Sequence, residues 1–386
     1  MTSKPVVVVA VNSLWNAINF RTGLIGALQD AGWRVVVVAP PGEGAELLVS
    51  QGVALRPIPI NARGTSPIAD ARLLADYYRI LRAVRPAAFL AFTAKPNIYG
   101  SLAARALGIP VINNVAGLGS TFTQENWLTR LMVRLYKLAL VKSEVVFFQN
   151  PDDRELFVGR GIVSESQAGL LPGSGVDLDR FQPAEASEDG ERGFTFLLSA
   201  RLLWAKGLAE YVEAARLVRA GGGEARFQML GFVDDADPAS VSQVQLDRWQ
   251  ADQSIEYLGS TSDVRPFLAE ADCIVLPSYY REGVPRALLE AAATGKPIIT
   301  TDSVGCREAV DDGHSGFLCT PRSAESLAQA MNKVLRLSPA ERRTMGALGR
   351  SKMERQFSQR RVHEAYARAL QQAGVIARPE LPSSAR

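Results

Sequence analysis

Residues 6–11 read V-V-V-V-A-V, and residues 35–39 read V-V-V-V-A. Runs of β-branched residues with no polar alternation describe strands that are apolar on both faces. Such strands must be covered on both sides, which selects a parallel sheet inside an α/β fold and excludes a half-solvated antiparallel sheet. Between the two runs, residues 20–31 predict a helix ended by Gly32. A strand, helix and strand at this spacing form a right-handed βαβ unit. Residues 12–19 then form a loop at the carboxyl end of the first strand, where ligands bind in open α/β sheets. That loop lacks G-x-G-x-x-G, which argues against a dinucleotide cofactor.

The alternation continues with a helix at 66–84, a strand at 87–92, a helix at 96–107 and a strand at 110–113. Strands at 144–149 and 170–175 follow, with Asn150 capping a helix between them. Residues 183–192 are polar and rich in Glu and Gly, the composition of a linker. Beyond them the pattern restarts: strands at 194–199, 226–230, 255–258 and 272–277, helices at 208–220, 241–253 and 262–271. Helices at 323–336, 339–354 and 358–372 close the chain. At 386 residues two domains are expected, here 1–180 and 181–357, with a disordered tail at 375–386.

Residues 278–301 carry the densest chemistry. They read S-Y-Y-R-E-G-V-P-R-A-L-L-E-A-A-A-T-G-K-P-I-I-T-T, a strand end, loop, helix, turn and next strand. Pro285 suits the first helical turn, and Gly295 with Pro297 ends the helix. The unpaired N–H groups of that helix start, around Gly283 and Val284, suit an anion such as a diphosphate. Glu282 and Glu290 bracket this position, and Arg286 lies one turn before Glu290, close enough for an ion pair. Carboxylates are poor partners for phosphate and good acceptors for sugar hydroxyls. A diphosphate beside two such acceptors is what a nucleotide-sugar requires.

The E-G-V-P-x-x-L-L-E run at 282–290 resembles the E-x7-E signature of retaining glycosyltransferases of family 4. S-A-R-L-L-W-A-K-G at 199–207, G-C-R-E-A-V-x-D-G-x-x-G-F-L at 305–318, K-P-N-I-Y-G at 95–100 and N-V-A-G-L-G at 114–119 agree with it in order and context. The resemblance spans nearly the whole chain and is nearest to the capsule and glycan-assembly subgroup. It implies the GT-B fold, two Rossmann-like doubly wound parallel-sheet domains facing a central cleft, with the last helix at 358–374 packing back onto the first. It implies a UDP-sugar donor, a polyprenyl-diphosphate-linked saccharide acceptor, and transfer of an N-acetylhexosamine or related hexose.

On these residues the resemblance places Arg201 and Lys206 on the donor diphosphate and Glu282 on the donor-sugar hydroxyls. It places Glu290 on the nucleotide ribose. Gly283, Val284, Pro285, Arg286, Gly231, Asn12 and Gly119 complete the donor set. Thr93, Lys95 and Asn97 form the acceptor side. Lys95 either meets the acceptor phosphate or is a solvated lysine at a helix start. Some relatives carry an acceptor-side histidine; here only His314 and His363 exist, neither in the first domain. Asp177-Leu178-Asp179 and Asp235-Ala236-Asp237 match D-x-D, a pattern frequent by chance, and no metal or other cofactor is expected. A glycosyltransferase with a soluble acceptor and a non-catalytic nucleotide-sugar-binding scaffold are the alternative readings. The complete set of Arg201, Lys206, Glu282 and Glu290 argues against the scaffold.

The formal net charge is +3, with 17 basic against 11 acidic residues in 1–175 and 26 against 29 in the rest. A basic first half suits an anionic partner there. In the helix expected at 127–142, Leu128, Leu131, Leu135 and Leu138 fall on one face, and Arg130, Arg134 and Lys137 form a second stripe. Such a helix either lies on an anionic bilayer or packs on a core with a solvated basic flank. No apolar run reaches the roughly 18 residues of a spanning helix, and the three cysteines have neither disulfide nor zinc spacing. These features lead to the expectation of a cytoplasmic protein held peripherally at the inner face of the membrane, with no nucleic-acid partner.

Overall fold

The computed structural model describes residues 4–61, 64–118, 122, 126–183, 193–234 and 237–376. It divides into two compact units, one formed by Met1–Ser174 with Gln359–Arg386 and the other by Gly175–Ser358.

The first unit is built on seven strands: β1 Val6–Ala10, β2 Arg34–Ala39, β3 Ala54–Pro57, β4 Ala88–Phe92, β5 Val111–Val115, β6 Val145–Phe148 and β7 Ala168–Leu170. Their order is β3-β2-β1-β4-β5-β6-β7, and every pairing is parallel. Val7 of β1 stands opposite Val35 on one side and Ala88 on the other. The valines of β1 alternate between two cores. Val7 and Val9 pack with Ile25, Leu28, Val362 and Tyr366, whereas Val6 and Val8 pack with Tyr77, Leu81 and Phe89. Each buried valine contributes on the order of 1.5 kcal/mol or more, which is why the run has no polar member.

Residues 12–19, expected as a loop, are mostly the helix Leu14–Phe20. Ser13 caps it by accepting from the Asn16 N–H, and a break at Arg21 separates it from the helix Thr22–Asp30. The helix Gln359–Gln372 belongs to this unit: the Asn114 side-chain amide donates to the Tyr366 hydroxyl at 3.0 Å, and Tyr366 packs on Phe92 and Phe147.

The second unit carries β8 Thr195–Ser199, β9 Arg226–Leu230, β10 Glu256–Tyr257, β11 Cys273–Leu276, β12 Ile298–Thr301 and β13 Gly316–Cys319, in the parallel order β10-β9-β8-β11-β12-β13. It begins at Gly175, earlier than the boundary expected at 180/181. Val176 bridges to Ser358, and Val176 and Phe181 are part of the core beneath the helix Arg286–Ala293. Of the linker expected at 183–192 only Pro183 is described, and of the tail expected at 375–386 only Val375 and Ile376.

In each sheet the chain order reverses once near the centre, between β1 and β4 in the first and between β8 and β11 in the second. At such a reversal the loops leaving the two strands diverge and open a crevice at their carboxyl ends.

Candidate active site

In the second unit the loops after β8 and β11 are locked together by backbone contacts. The chain leaves β8 through Arg201, turns at Trp204–Lys206 and enters the helix Leu208–Ala220 at Gly207. Gly207 has φ +78°, and a Cβ there would lie 2.2 Å from the Pro277 carbonyl oxygen. The N–H groups of Tyr279 and Tyr280 both donate to the Ala205 carbonyl, at 3.0 and 3.2 Å. Gly231, at the end of β9, has the same reason to be glycine, because its Cβ would meet the Ala200 carbonyl at 1.8 Å.

This locking brings Lys206 and Glu282 together across the reversal. Lys206 Nζ lies 2.5 Å from Glu282 Oε1, with both side chains largely buried. The Ser278 hydroxyl donates to the same carboxylate oxygen at 2.8 Å. Ser278 was not among the expected site residues, although it leads the stretch that contains them. Its own carbonyl accepts from the hydroxyls of Thr301 and Ser303, the latter at 2.9 Å. Gly305 closes the loop from the other side: a Cβ there would sit 2.0 Å from the Gly283 carbonyl oxygen. Glu282 is thus held by side chains from two loops, Lys206 after β8 and Ser278 after β11, while the loop after β12 holds Ser278. Arg201 is half-buried on the first of them.

The helix Arg286–Ala293 starts one residue later than expected. Pro285 is extended, with φ −63° and ψ 124°, and occupies the N-cap position. Gly283 and Val284 are buried in front of it. Arg286 and Glu290 form the anticipated ion pair at 2.8 Å. Burial pushes the Glu290 carboxyl above its ordinary range, opposed by the charges of Arg286 and Arg180. A carboxylate so desolvated gains from any hydroxyl donor placed against it. Asp177 accepts the N–H groups of Asp179 and Arg180, both at 3.0 Å, so the first D-x-D is a turn cap. In the second, Asp235 lies outside the described residues.

In the first unit, Asn12 follows β1 and Thr93 and Lys95 follow β4, so all three flank the reversal. Thr93 has φ +67°, a left-handed conformation rare for a β-branched residue. Lys95 Nζ lies 2.6 Å from Asp70 Oδ1. Asn97 follows β4 as well, in the segment Pro96–Gly100. It is buried, donating to the Asn114 carbonyl at 2.8 Å and accepting from the Asn113 amide at 3.0 Å. Gly119 lies outside the described residues.

The helix Trp127–Leu140 does not bury the four leucines on one face. Thr129, Tyr136, Ala139 and Leu140 are buried instead, and Leu128 and Leu135 are half-buried. Trp127, Leu131 and Leu138 are 73%, 42% and 53% exposed, on the same side as Arg130, Arg134 and Lys137. Among the described residues no helix is long and apolar enough to cross a membrane.

Comparison with known proteins bears on the family and the fold. The family described as "Glycosyl transferase 4-like domain" matches residues 19–172, and "Glycosyl transferases group 1" matches residues 193–336. A relative from Campylobacter jejuni, N,N'-diacetylbacillosaminyl-diphospho-undecaprenol alpha-1,3-N-acetylgalactosaminyltransferase, is 27% identical over 82% of this chain and 86% of its own length. A second, the Escherichia coli UDP-Gal:alpha-D-GlcNAc-diphosphoundecaprenol alpha-1,3-galactosyltransferase, is 26% identical over 72% of this chain and 73% of its own. Among solved structures, a glycosyltransferase from Rickettsia africae superposes with a TM-score of 0.79 at 18% identity, covering 96% of this chain and 98% of the other. HepE from Anabaena, in complex with UDP and glucose, gives 0.78 at 18% identity, covering 95% and 99%.

Proposed function

Because this chain belongs to the group 1 glycosyltransferases, with a 4-like first domain and the GT-B fold, we propose that it transfers a sugar from a UDP-sugar to a polyprenyl-diphosphate-linked saccharide, with retention, during assembly of a bacterial surface glycan. The observation that carries this reading is the Lys206–Glu282 pair at the centre of the second sheet's carboxyl edge. A cation and a carboxylate there match the two needs of a sugar–diphosphate. Both named relatives act on undecaprenol-linked diphosphosugars. The E. coli relative uses UDP-Gal, and HepE holds UDP. An N-acetylhexosamine or a related hexose is the sugar this set supports.

The reaction breaks the bond from the sugar C1 to the diphosphate oxygen and forms a bond from C1 to the acceptor oxygen on the same face. The acceptor proton passes to the departing phosphate oxygen, and UDP leaves. Negative charge grows on the diphosphate as the bond breaks, and Arg201 and Lys206 are preset to offset it, which is commonly the largest catalytic contribution. A diphosphate competes with Glu282 for the Lys206 ammonium. Once it wins, Glu282 accepts from sugar hydroxyls while Ser278 keeps it in place. Glu290 takes the ribose hydroxyls.

The test is UDP release from a panel of UDP-, GDP-, ADP- and dTDP-sugars in excess EDTA, with and without polyprenyl-diphosphate-linked mono- and disaccharides. Acceptor-dependent release from one UDP-sugar is expected. Release only with a soluble saccharide would replace the acceptor, and a strict need for added divalent metal would overturn the role given to Arg201 and Lys206.

We place the protein at the inner face of the cytoplasmic membrane, held by the exposed side of the helix Trp127–Leu140. Trp127, Leu131 and Leu138 supply apolar area, and Arg130, Arg134 and Lys137 meet anionic headgroups at about 1 kcal/mol each. Reversing the three charges should release the protein from vesicles of anionic lipid. Unchanged sedimentation with those vesicles would remove this helix as the contact.

A further inference from the structure

Lys95 is not a solvated lysine. Its side chain and that of Asp70 are 13% and 15% exposed, and their charged atoms are 2.6 Å apart. Asp70 stands in the first turn of the helix Pro67–Val84. Its second carboxylate oxygen accepts from the Tyr99 hydroxyl at 2.8 Å. Burial first, then the hydrogen bond to Asp70, pushes the Tyr99 phenol above its usual range, so Tyr99 remains a donor. The segment carrying Lys95 and Tyr99 lies close against β4: a Cβ on Gly100 would meet the Phe89 ring at 2.4 Å. The chain enters this segment through Thr93 at φ +67°. Backbone in that region, on a β-branched residue, persists where surrounding structure holds it, and such positions cluster at functional sites.

A buried lysine held by one carboxylate uses one of its three N–H donors on that partner. The other two remain for a ligand. A free lysine side chain must be immobilised when it binds phosphate, whereas one fixed during folding avoids that loss at the moment of binding.

We propose that Asp70 and Tyr99 are positioning residues that hold the Lys95 ammonium as a preset phosphate-binding group at the carboxyl edge of the first sheet. That the phosphate is the acceptor's diphosphate rests on the function proposed above. The rival is a purely structural ion pair tying the helix Pro67–Val84 to the segment after β4. A structural pair and a positioning pair differ in what happens to ligand affinity when folding is intact.

The test uses the full chain and farnesyl diphosphate, a soluble prenyl diphosphate, titrated in saturating UDP. Lys95→Ala and Asp70→Asn are expected to weaken its binding by about tenfold or more, the scale on which small displacements of a positioned group act. Tyr99→Phe should weaken it less, and Asp70→Glu should restore most of the loss. UDP affinity, titrated separately, should be the same in every variant. Should Asp70→Asn fail to fold, Tyr99→Phe and Asp70→Glu still order the series. Undiminished binding by Asp70→Asn would overturn the proposal, because Asp70 would then compete with the phosphate or serve only the fold. Absence of farnesyl diphosphate binding in the unaltered protein would overturn it too. Failure of the UDP titration would instead count against the donor reading, and the farnesyl diphosphate series run without UDP would still decide this one.

Discussion

Both sheets are parallel and reverse their strand order once, and each unit carries a buried lysine–carboxylate pair: Lys206–Glu282 joins the loops after the two central strands, whereas Lys95 after β4 pairs with Asp70 on the helix that follows the edge strand β3. In the second unit the loops that carry Lys206 and Glu282 are locked to each other by close backbone packing. Gly207, Gly231 and Gly305 stand where a Cβ would come within 2.2 Å of a carbonyl oxygen. In the first unit, Lys95 and Asp70 are held by side chains, and the tight left-handed turn is made by Thr93, which is not glycine. Close backbone packing leaves a rigid edge with a single geometry, suited to a donor whose bond is to be broken. The difference is consistent with a donor on one edge and a lipid-linked acceptor on the other.

The largest effect should come from removing the donor-edge carboxylate. Glu282→Ala is expected to lower turnover by about two orders of magnitude, the usual scale for losing one group that stabilises charge in the transition state. Near-normal turnover would take Glu282 out of the site and leave Lys206 without its proposed role. Next come two glycine exchanges of opposite sign. Gly305→Ala forces a Cβ into the Gly283 carbonyl and should cost about 2–3 kcal/mol of stability, as overpacking commonly does. Thr93→Gly relieves the left-handed strain and should stabilise by about 1 kcal/mol, while lowering transfer to the acceptor. Urea denaturation of both variants checks the pair, and stability shifts of the same sign would break the contrast between the two edges.

Much of the proposed donor edge was legible because its residues are contiguous. Glu282 to Glu290 spans a single loop and one helix turn, and the strand beneath it is apolar throughout. The central strands β1, β4 and β11 were legible because, buried on both faces, they are apolar throughout. The acceptor edge was only half legible. Lys95 stood out within K-P-N, but Asp70 is 25 residues away on another helix, and only folding brings the two together. Asn97, in the same tripeptide, is tied to Asn113 and Asn114 in a buried amide network that the sequence does not show. Ser278 was overlooked because serine after a strand has many uses, and its bond to Glu282 depends on how the loop folds back. The helix Leu14–Phe20 is only seven residues long and carries two asparagines, which read as loop, and its Ser13 cap was the available signal. In the helix Trp127–Leu140 the periodicity was visible, but periodicity does not say which stripe a neighbour covers. Tyr136 and Leu140 face the core, while Leu131 and Leu138 remain outside.

The most direct measurement is a pair of substitutions, Lys206→Ala and Lys95→Ala, assayed for KM of the UDP-sugar and of the lipid-linked acceptor in the same preparation. The account predicts a double separation. Lys206→Ala should raise the donor KM, lower turnover and leave the acceptor KM unchanged, whereas Lys95→Ala should raise the acceptor KM and leave the donor KM unchanged. If both substitutions altered the KM of the same substrate, the assignment of one ligand to each sheet edge would be wrong.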